Sequence, residues 1–131
     1  MNYYVGQIAS ITKTISESDV YLFAGICGDF NPVHVNAISA EQSRFGKRVV
    51  HGALVSAFVS TVLGMKLPGE GTIYLSQYSK FVKPVYIEDT ITAIAEISEI
   101  DDKKAKLLTT VKNQSDEIVL EGEAYVILPQ I

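Results

Sequence analysis

The sequence predicts an α+β fold in which a curled antiparallel sheet wraps around a central apolar helix. The segment 53–64 is apolar nearly all round, which indicates a buried helix rather than a surface helix. Four strand-like runs follow this segment, and polar clusters of hairpin length separate the last three of them. One strand and two helices are predicted before the apolar helix, so the elements follow an α+β order.

The N-terminal elements are marked by local signals. Residues 3–14 are predicted to form a strand with an irregularity at Gly6. The segment 16–27 opens with a capping-box pattern and continues as a helix with an apolar stripe at three-residue spacing. A short helix is predicted over 36–45, because Gly46 stands just beyond its end.

The C-terminal half is predicted to be a sheet. After the apolar helix over 53–63, strands are predicted over 72–82, 85–100, 105–113 and 118–128. The last three alternate between apolar and wetter positions with a period of two, although the middle one does so less cleanly. This pattern predicts an antiparallel meander with one face against the helix.

The apolar helix also carries a stripe of small side chains. Ala53, Ser56, Ala57 and Ser60 recur at helical spacing, and bulkier side chains cover the other faces. A sheet could clasp the bulky side, while the small side would let another backbone or a narrow ligand tunnel come close. Such a sheet leaves an unpaired edge strand, and pairing two edges around a two-fold axis removes that liability. We therefore expect a homodimer.

Composition sets the broad class. The length of 131 residues and the hydrophobic fraction of 47% fit one domain spanning residues 1–131. No run is long enough to span a bilayer, and the first five residues lack a secretion-signal pattern. A single cysteine excludes an internal disulfide, so a reducing cytoplasm is the expected location. The net charge of −4 argues against a nucleic-acid partner.

The segment 27–34, Cys-Gly-Asp-Phe-Asn-Pro-Val-His, holds the best candidate for chemistry. Asp29 and His34 are five residues apart, and a proline between them opposes a regular helix. Both side chains are predicted to project from an irregular loop, where one water molecule between them would meet a general acid–base pair. The alternative is that Asp29 and Asn31 only form turns while His34 is structural.

This segment and its surroundings resemble the MaoC-like hydratases, and within them the (R)-specific enoyl-CoA hydratases. The resemblance rests on Gly-Asp-Phe-Asn-Pro-x-His at 28–34, Phe-Gly at 45–46 and Val-Val-His-Gly at 49–52. The segments 67–75 and 81–85 are similar to that family as well. The resemblance extends over nearly the whole chain.

The resemblance implies a hot-dog fold and reversible, (R)-specific hydration of a trans-2-enoyl-CoA with no metal and no cofactor. It implies that Asp29 and His34 are the catalytic pair. The oxyanion donor would be the backbone amide of Gly52, with a supporting hydroxyl from Ser60. Asn31 lies in the same loop, where an asparagine more often braces the backbone than touches substrate. His51 is expected to brace the start of the helix.

Two other functions stay open at this point. One is a hot-dog thioesterase that directs water at the thioester carbonyl, and the other is a non-catalytic acyl-CoA-binding domain. An acyl-CoA is anionic, and the available positive clusters are Lys47 with Arg48 and Lys80 with Lys83. The small stripe on the helix suggests a narrow tunnel and a preference for short acyl chains. The sequence leaves both CoA and acyl carrier protein open as the carrier of the acyl group.

Overall fold

A computed structural model describes residues 2–130 and contains one antiparallel sheet of five strands within that range. The strands are β1 (Ile8–Thr14), β2 (Ile73–Phe81), β3 (Thr90–Asp101), β4 (Lys104–Lys112) and β5 (Ile118–Ile127). The helices are α1 (Glu17–Cys27), α2 (Pro32–Val35), α3 (Ala37–Glu41) and α4 (Gly52–Met65). Within residues 2–130, no helix is both long and apolar enough to cross a membrane.

The strand order across the sheet is β1-β3-β4-β5-β2. The β3–β4–β5 meander forms its centre, as predicted, while β1 pairs with β3 and β2 pairs with β5. In β3 the buried side chains are Ile91, Ala93, Ala95 and Ile97, which alternate with partly exposed ones. One face of the sheet therefore packs on the core, and β1 and β2 are its two edges.

Helix α4 lies on the buried face of the sheet. The residues that it buries are Val55, Val59, Val62 and Leu63. The opposite side of α4 carries Ala53, Ala57 and Ser60, which are exposed. The sheet of the single chain therefore covers the bulky side of the helix, as predicted, and leaves the small stripe open.

Helix α1 begins and ends at the predicted signals. The Ser16 side chain accepts a hydrogen bond from the Asp19 amide at 3.0 Å, and an Asp19 carboxylate oxygen accepts one from the Ser16 amide at 2.9 Å. This reciprocal pair is the capping box. Gly28 adopts the left-handed conformation, with φ of 82°, and ends the helix.

Three predicted elements differ from the structure by more than two residues at one end. β1 begins only at Ile8, because Gly6 has a φ of 97° and forms a turn. β3 begins at Thr90 rather than at residue 85, because Asp89 closes a turn by accepting a hydrogen bond from the Tyr86 amide at 2.9 Å. The helix predicted over 36–45 is the shorter α3.

Candidate active site

The end of α1 places Asp29 at the surface. Since Gly28 turns the chain out of the helix, Asp29 starts a new segment, and its side chain is 52% exposed. One carboxylate oxygen, Oδ1, accepts a hydrogen bond from the amide of Asn31 at 3.2 Å. This turn leaves the other oxygen, Oδ2, free to face the neighbouring histidine.

His34 lies on α2, a helix of one turn, and not on an irregular loop. The proline occupies the first turn of α2, where its missing N–H costs nothing. Asn31 caps the helix, because its side-chain oxygen accepts a hydrogen bond from the Val33 amide at 3.3 Å. Pro32 therefore starts a helix rather than preventing one, and that helix fixes the direction of the buried His34 side chain.

The two ring nitrogens of His34 have different environments. Nδ1 lies 2.7 Å from the carbonyl oxygen of Val49. A carbonyl only accepts, so Nδ1 donates the proton and the neutral ring carries its lone pair on Nε2. Nε2 lies 4.0 Å from Asp29 Oδ2, which is too far for a direct hydrogen bond. A single water molecule fits such a gap and can bond to both groups.

His51 is the second histidine of this cluster, and it is 2% exposed. Its side chain does not cap α4, contrary to the expectation that it braces the helix start. Its Nε2 donates to the backbone carbonyl of Asp29 at 3.0 Å, and its ring stacks on His34 with centroids 3.8 Å apart. Nδ1 of His51 has no hydrogen-bond partner among the described residues.

The side chains of Asp29, His34 and His51 offer metal-ligand atoms within 4.8 Å of one another. An imidazole binds a metal in the plane of its own ring. The two rings are stacked with only 25° between their planes, and Nε2 of His51 already donates its proton. This geometry is poor for coordinating one ion with both rings.

An apolar cavity of about 560 Å³ opens beside His34. Its apolar wall includes Val50, Val55, Phe81, Val82, Val85 and Val119. The small stripe on α4 does not line it, so the predicted tunnel along that stripe is absent from the single chain. The cavity instead lies between the start of α4 and the segment that follows β2.

Gly52 is the first residue of α4 and lines the cavity. The first amides of a helix have no partner within it, so this N–H is available at the positive end of the helix dipole. A methyl group at position 52 would lie 3.0 Å from the ring of Phe81. Glycine at position 52 therefore lets the Phe81 ring pack closely against the start of α4.

The other two predicted site residues lie in different places. Asn31 lines the cavity while its side chain caps α2. Ser60 is exposed on the small stripe of α4, eight residues beyond Gly52, which is about 12 Å along a helix. The single chain does not bring Ser60 to this cavity.

Two positively charged side chains, Lys83 and Arg44, line the cavity, and the sequence analysis singled out only Lys83. Lys83 lines the cavity and forms an ion pair with Glu117, while Arg44 lines it and is exposed. Arg48 is held 2.7 Å from the Glu17 carboxylate, a hydrogen bond that raises the pKa of the guanidinium. No local pattern distinguishes Arg44 from other surface arginines, so sequence reasoning missed it.

Comparison with known proteins finds relatives that match nearly the whole chain. An (R)-specific enoyl-CoA hydratase of Rhodospirillum rubrum is 47% identical, over 95% of this chain and 87% of that protein. A 3-hydroxybutyryl-CoA dehydratase of Methylorubrum extorquens is 41% identical, over 96% of this chain and 81% of that protein. An (R)-specific enoyl-CoA hydratase of Aeromonas caviae is 38% identical, over 95% of both chains.

Solved structures confirm the predicted hot-dog fold. An (R)-hydratase from A. caviae involved in PHA biosynthesis superimposes with a TM-score of 0.95 at 36% identity, covering 97% of this chain and 98% of that one. The unliganded R-hydratase PhaJ1 from Pseudomonas aeruginosa also gives 0.95, at 39% identity, over 98% of this chain and 84% of that one. The family model of the MaoC like domain matches residues 6–119. The chain therefore belongs to the MaoC-like family.

Proposed function

We propose that this protein is an (R)-specific enoyl-CoA hydratase, which adds water reversibly to a trans-2-enoyl-CoA. The sequence-based prediction of this enzyme class is confirmed by relatives of the same name at 38% and 47% identity over nearly the whole chain. One observation of this chain supports the proposal most. Asp29 Oδ2 and His34 Nε2 lie 4.0 Å apart beside an apolar cavity, with room for one water between them.

The proposed reaction uses the two side chains as a pair. The water held between Asp29 and His34 delivers its hydroxyl to C3 of the enoyl group, and a proton is added at C2. Between them the two groups remove one proton from the water and return one to the substrate, so the enzyme is unchanged after each turnover. Positioned acid–base groups contribute about 10²–10⁴-fold each to such a reaction.

The thioester oxygen gains negative charge as the hydroxyl attacks C3. The amide of Gly52 is the proposed donor to this oxygen, since it opens α4 and lines the same cavity. One preorganised donor of this kind is worth on the order of 10²–10³ in kcat. A hydroxyl from Ser60 stays a prediction, because in the single chain its side chain is exposed and outside the cavity wall.

The direct test is hydration of crotonyl-CoA, which is monitored by the loss of the enoyl absorbance. The product is then identified by chiral analysis. We expect the (R)-3-hydroxyacyl product, with a rate that EDTA does not change. Asp29→Asn and His34→Gln should each abolish most turnover while leaving the fold intact. Since both act on one water, the double variant should be only slightly slower than either single variant.

Other outcomes of this test are informative. Release of free CoA thiol without 3-hydroxy product would indicate the thioesterase instead. Binding of acyl-CoA without turnover would indicate the non-catalytic domain. Near-normal kcat in either single variant would contradict the assignment of the pair.

Acyl-CoA is the proposed substrate, and the charged side of the cavity is its proposed phosphate contact. Arg44 and Lys83 both line the cavity, where an anionic carrier would enter. Arg44→Gln should raise KM for crotonyl-CoA and leave KM for crotonyl-N-acetylcysteamine unchanged, because the truncated thioester has no phosphates. Lys80→Gln is the matched control, since Lys80 is exposed and outside this cavity. Equal effects on both thioesters would contradict the phosphate contact.

A homodimer is the proposed assembly. β2 is an edge of the sheet and exposes apolar side chains such as Leu75 and Tyr78, which are 47% and 63% exposed. Antiparallel pairing of β2 with its copy about a two-fold axis would satisfy that edge. Light scattering on a sizing column tests this, and Leu75→Lys, which adds a charge beside the edge, should yield monomers.

Two broader predictions from the sequence remain proposals. We propose that residues 1–131 act as one domain. We also propose a cytoplasmic location, which the lone cysteine favours.

A further inference from the structure

We propose that His51 is a positioning residue, which holds both members of the Asp29–His34 pair at the spacing that accepts one water. This inference rests on the proposed hydratase function and extends it to a residue that takes no part in the proton transfers. It starts from the contacts of a buried histidine whose side chain does not cap its own helix and instead touches both members of the pair.

The first contact that supports this role is the hydrogen bond from His51 to the backbone of Asp29. Within the described chain, residues 28–31 make other hydrogen bonds only to residues at most four positions away. The bond from His51 Nε2 to the Asp29 carbonyl joins residues 22 positions apart. It is therefore the hydrogen bond that ties the exposed segment of Asp29 to the buried start of α4.

The second contact is the stack of His51 on His34. The ring centroids are 3.8 Å apart, and Phe23 packs on His51 from 5.0 Å at a tilt of 60°. The hydrogen bond from Nδ1 to the Val49 carbonyl thus fixes the rotation of the His34 ring within its plane. The stacked ring of His51 restrains movement of His34 out of that plane. These restraints direct its Nε2 toward Asp29.

Both members of the catalytic pair are consequently held by one short segment, residues 49–51. The Val49 carbonyl holds His34, and His51 holds the backbone of Asp29. The segment itself is fixed to the core, since the Val50 amide donates to the Val85 carbonyl at 2.7 Å.

Two substitutions separate the two contacts. His51→Phe keeps an aromatic ring over His34 but removes the donor to Asp29. His51→Gln keeps an amide donor near the position of Nε2 but removes the ring. We expect each of these substitutions to lower kcat for crotonyl-CoA hydration by about tenfold. His51→Ala, which removes both contacts, should lower kcat by about 10²-fold, because a displacement of roughly 1 Å in an active site has an effect of that size. KM, and the dissociation constant of the unreactive butyryl-CoA, should change less than about twofold, because the substrate contacts remain.

A purely structural role would give a different result. Val59→Ala, which truncates a buried residue of α4 outside the cavity, is the matched control and should lower the melting temperature while leaving kcat unchanged. If the Ala variant of His51 does not fold, the Phe and Gln variants still test the inference. Wild-type kcat in both of them would overturn it, and so would a loss confined to the melting temperature or to KM.

A readout without substrate tests the geometry itself. Imidazole nitrogen NMR should show the proton of His34 on Nδ1 and that of His51 on Nε2 in the neutral rings. In His51→Gln the His34 signals should broaden or move as the stack is lost. No hydratase activity in the wild type would overturn the proposed function, whereas an active wild type with the opposite tautomers would overturn only the role of His51.

Discussion

β2 and β4 have the same length of 9 residues and lie in the same sheet, but they differ in what surrounds them. β4 has neighbours on both sides, and its buried positions alternate with partly or fully exposed ones, with Leu107 0% exposed. β2 has one neighbour and is exposed along most of its length. Its large exposed apolar side chains are Ile73, Tyr74, Leu75, Tyr78 and Phe81.

The difference teaches that apolar composition does not locate the core of this chain by itself. An edge strand with a row of exposed apolar side chains is a liability unless another surface covers it. We assign one part of that row to a second copy of the chain and another part to the substrate, because Phe81 lines the cavity. Substitutions along the two strands can separate these roles.

The largest effect is expected where β2 meets β5. A methyl group at Gly122 would lie 1.8 Å from the Tyr78 carbonyl oxygen, and a backbone atom cannot move aside as a side chain does. Gly122→Ala should therefore detach β2 and cost more than about 3 kcal/mol in urea unfolding, beyond ordinary overpacking. Gly25→Ala is the control of opposite sign, since it adds a methyl to open space in α1 and should stabilise by about 0.5–1 kcal/mol. An unchanged unfolding midpoint for Gly122→Ala would contradict this account.

The next effect compares the two strands directly. Leu107→Ala should cost about 2–5 kcal/mol at any protein concentration, because it opens a cavity within one chain. Leu75→Ala should cost less than about 1 kcal/mol of stability in dilute solution. Its cost should grow with protein concentration, because the substitution weakens an assembly that stabilises the wild type more at high concentration. Thermal unfolding over roughly a hundredfold range of concentration separates the two. The same concentration dependence for both variants would argue against β2 as the assembly surface.

A smaller effect concerns the acyl chain. The wild type should prefer chains of about four to six carbons, since a longer chain that the cavity cannot hold would impose an overpacking cost of about 1–3 kcal/mol. Phe81→Ala should raise kcat/KM for the C8 substrate relative to C4, by up to about fourfold for each added methylene that finds room. Tyr78→Ala is the control, because Tyr78 is exposed on β2 but does not line this cavity. A steady rise in kcat/KM from C4 to C10 in the wild type would show that the cavity is already open.

The smallest effect is expected outside both strands, at the cap of α1. The hydrogen bond from the Ser16 amide, opposed in part by burial and aided by Lys13, lowers the pKa of Asp19. A carboxyl group whose pKa is lower in the folded than in the unfolded chain stabilises the fold at pH values above its unfolded-state pKa. This stabilisation is lost as the pH falls through the folded-state pKa. Asp19→Asn should thus destabilise slightly at about pH 6 and have almost no effect at about pH 2. A larger loss in acid than at neutral pH would contradict the assigned sign.

Most of the fold was predictable because its signals are local. The meander follows from alternation with a period of two, and α1 from the capping box of Ser16 and Asp19. The late start of β3 was missed because residues 85–89 are apolar enough to resemble a strand, while Asp89 closes a turn by accepting a hydrogen bond from the Tyr86 amide. Such a turn depends on one side chain and leaves no periodic pattern.

The candidate site was predictable only in part. Asp29 and His34 are close in the sequence, and the resemblance singled them out. The contact between His51 and Asp29 and the position of Arg44 at the cavity depend on how distant segments pack, so neither could be read from spacing. The open small side of α4 was predicted, but the position of the cavity at the start of α4 rather than along that stripe was not, because it depends on how the segment after β2 packs.

The single turn of α2 limits which sequence changes residues 29–34 can accept. Each residue of a helix rotates the next by about 100°, so one extra residue between Asn31 and His34 would direct the imidazole away from Asp29. Exchanging a side chain there leaves that direction intact. Insertions and deletions in the segment 29–34 should therefore be eliminated in a functional library, even where many single exchanges survive.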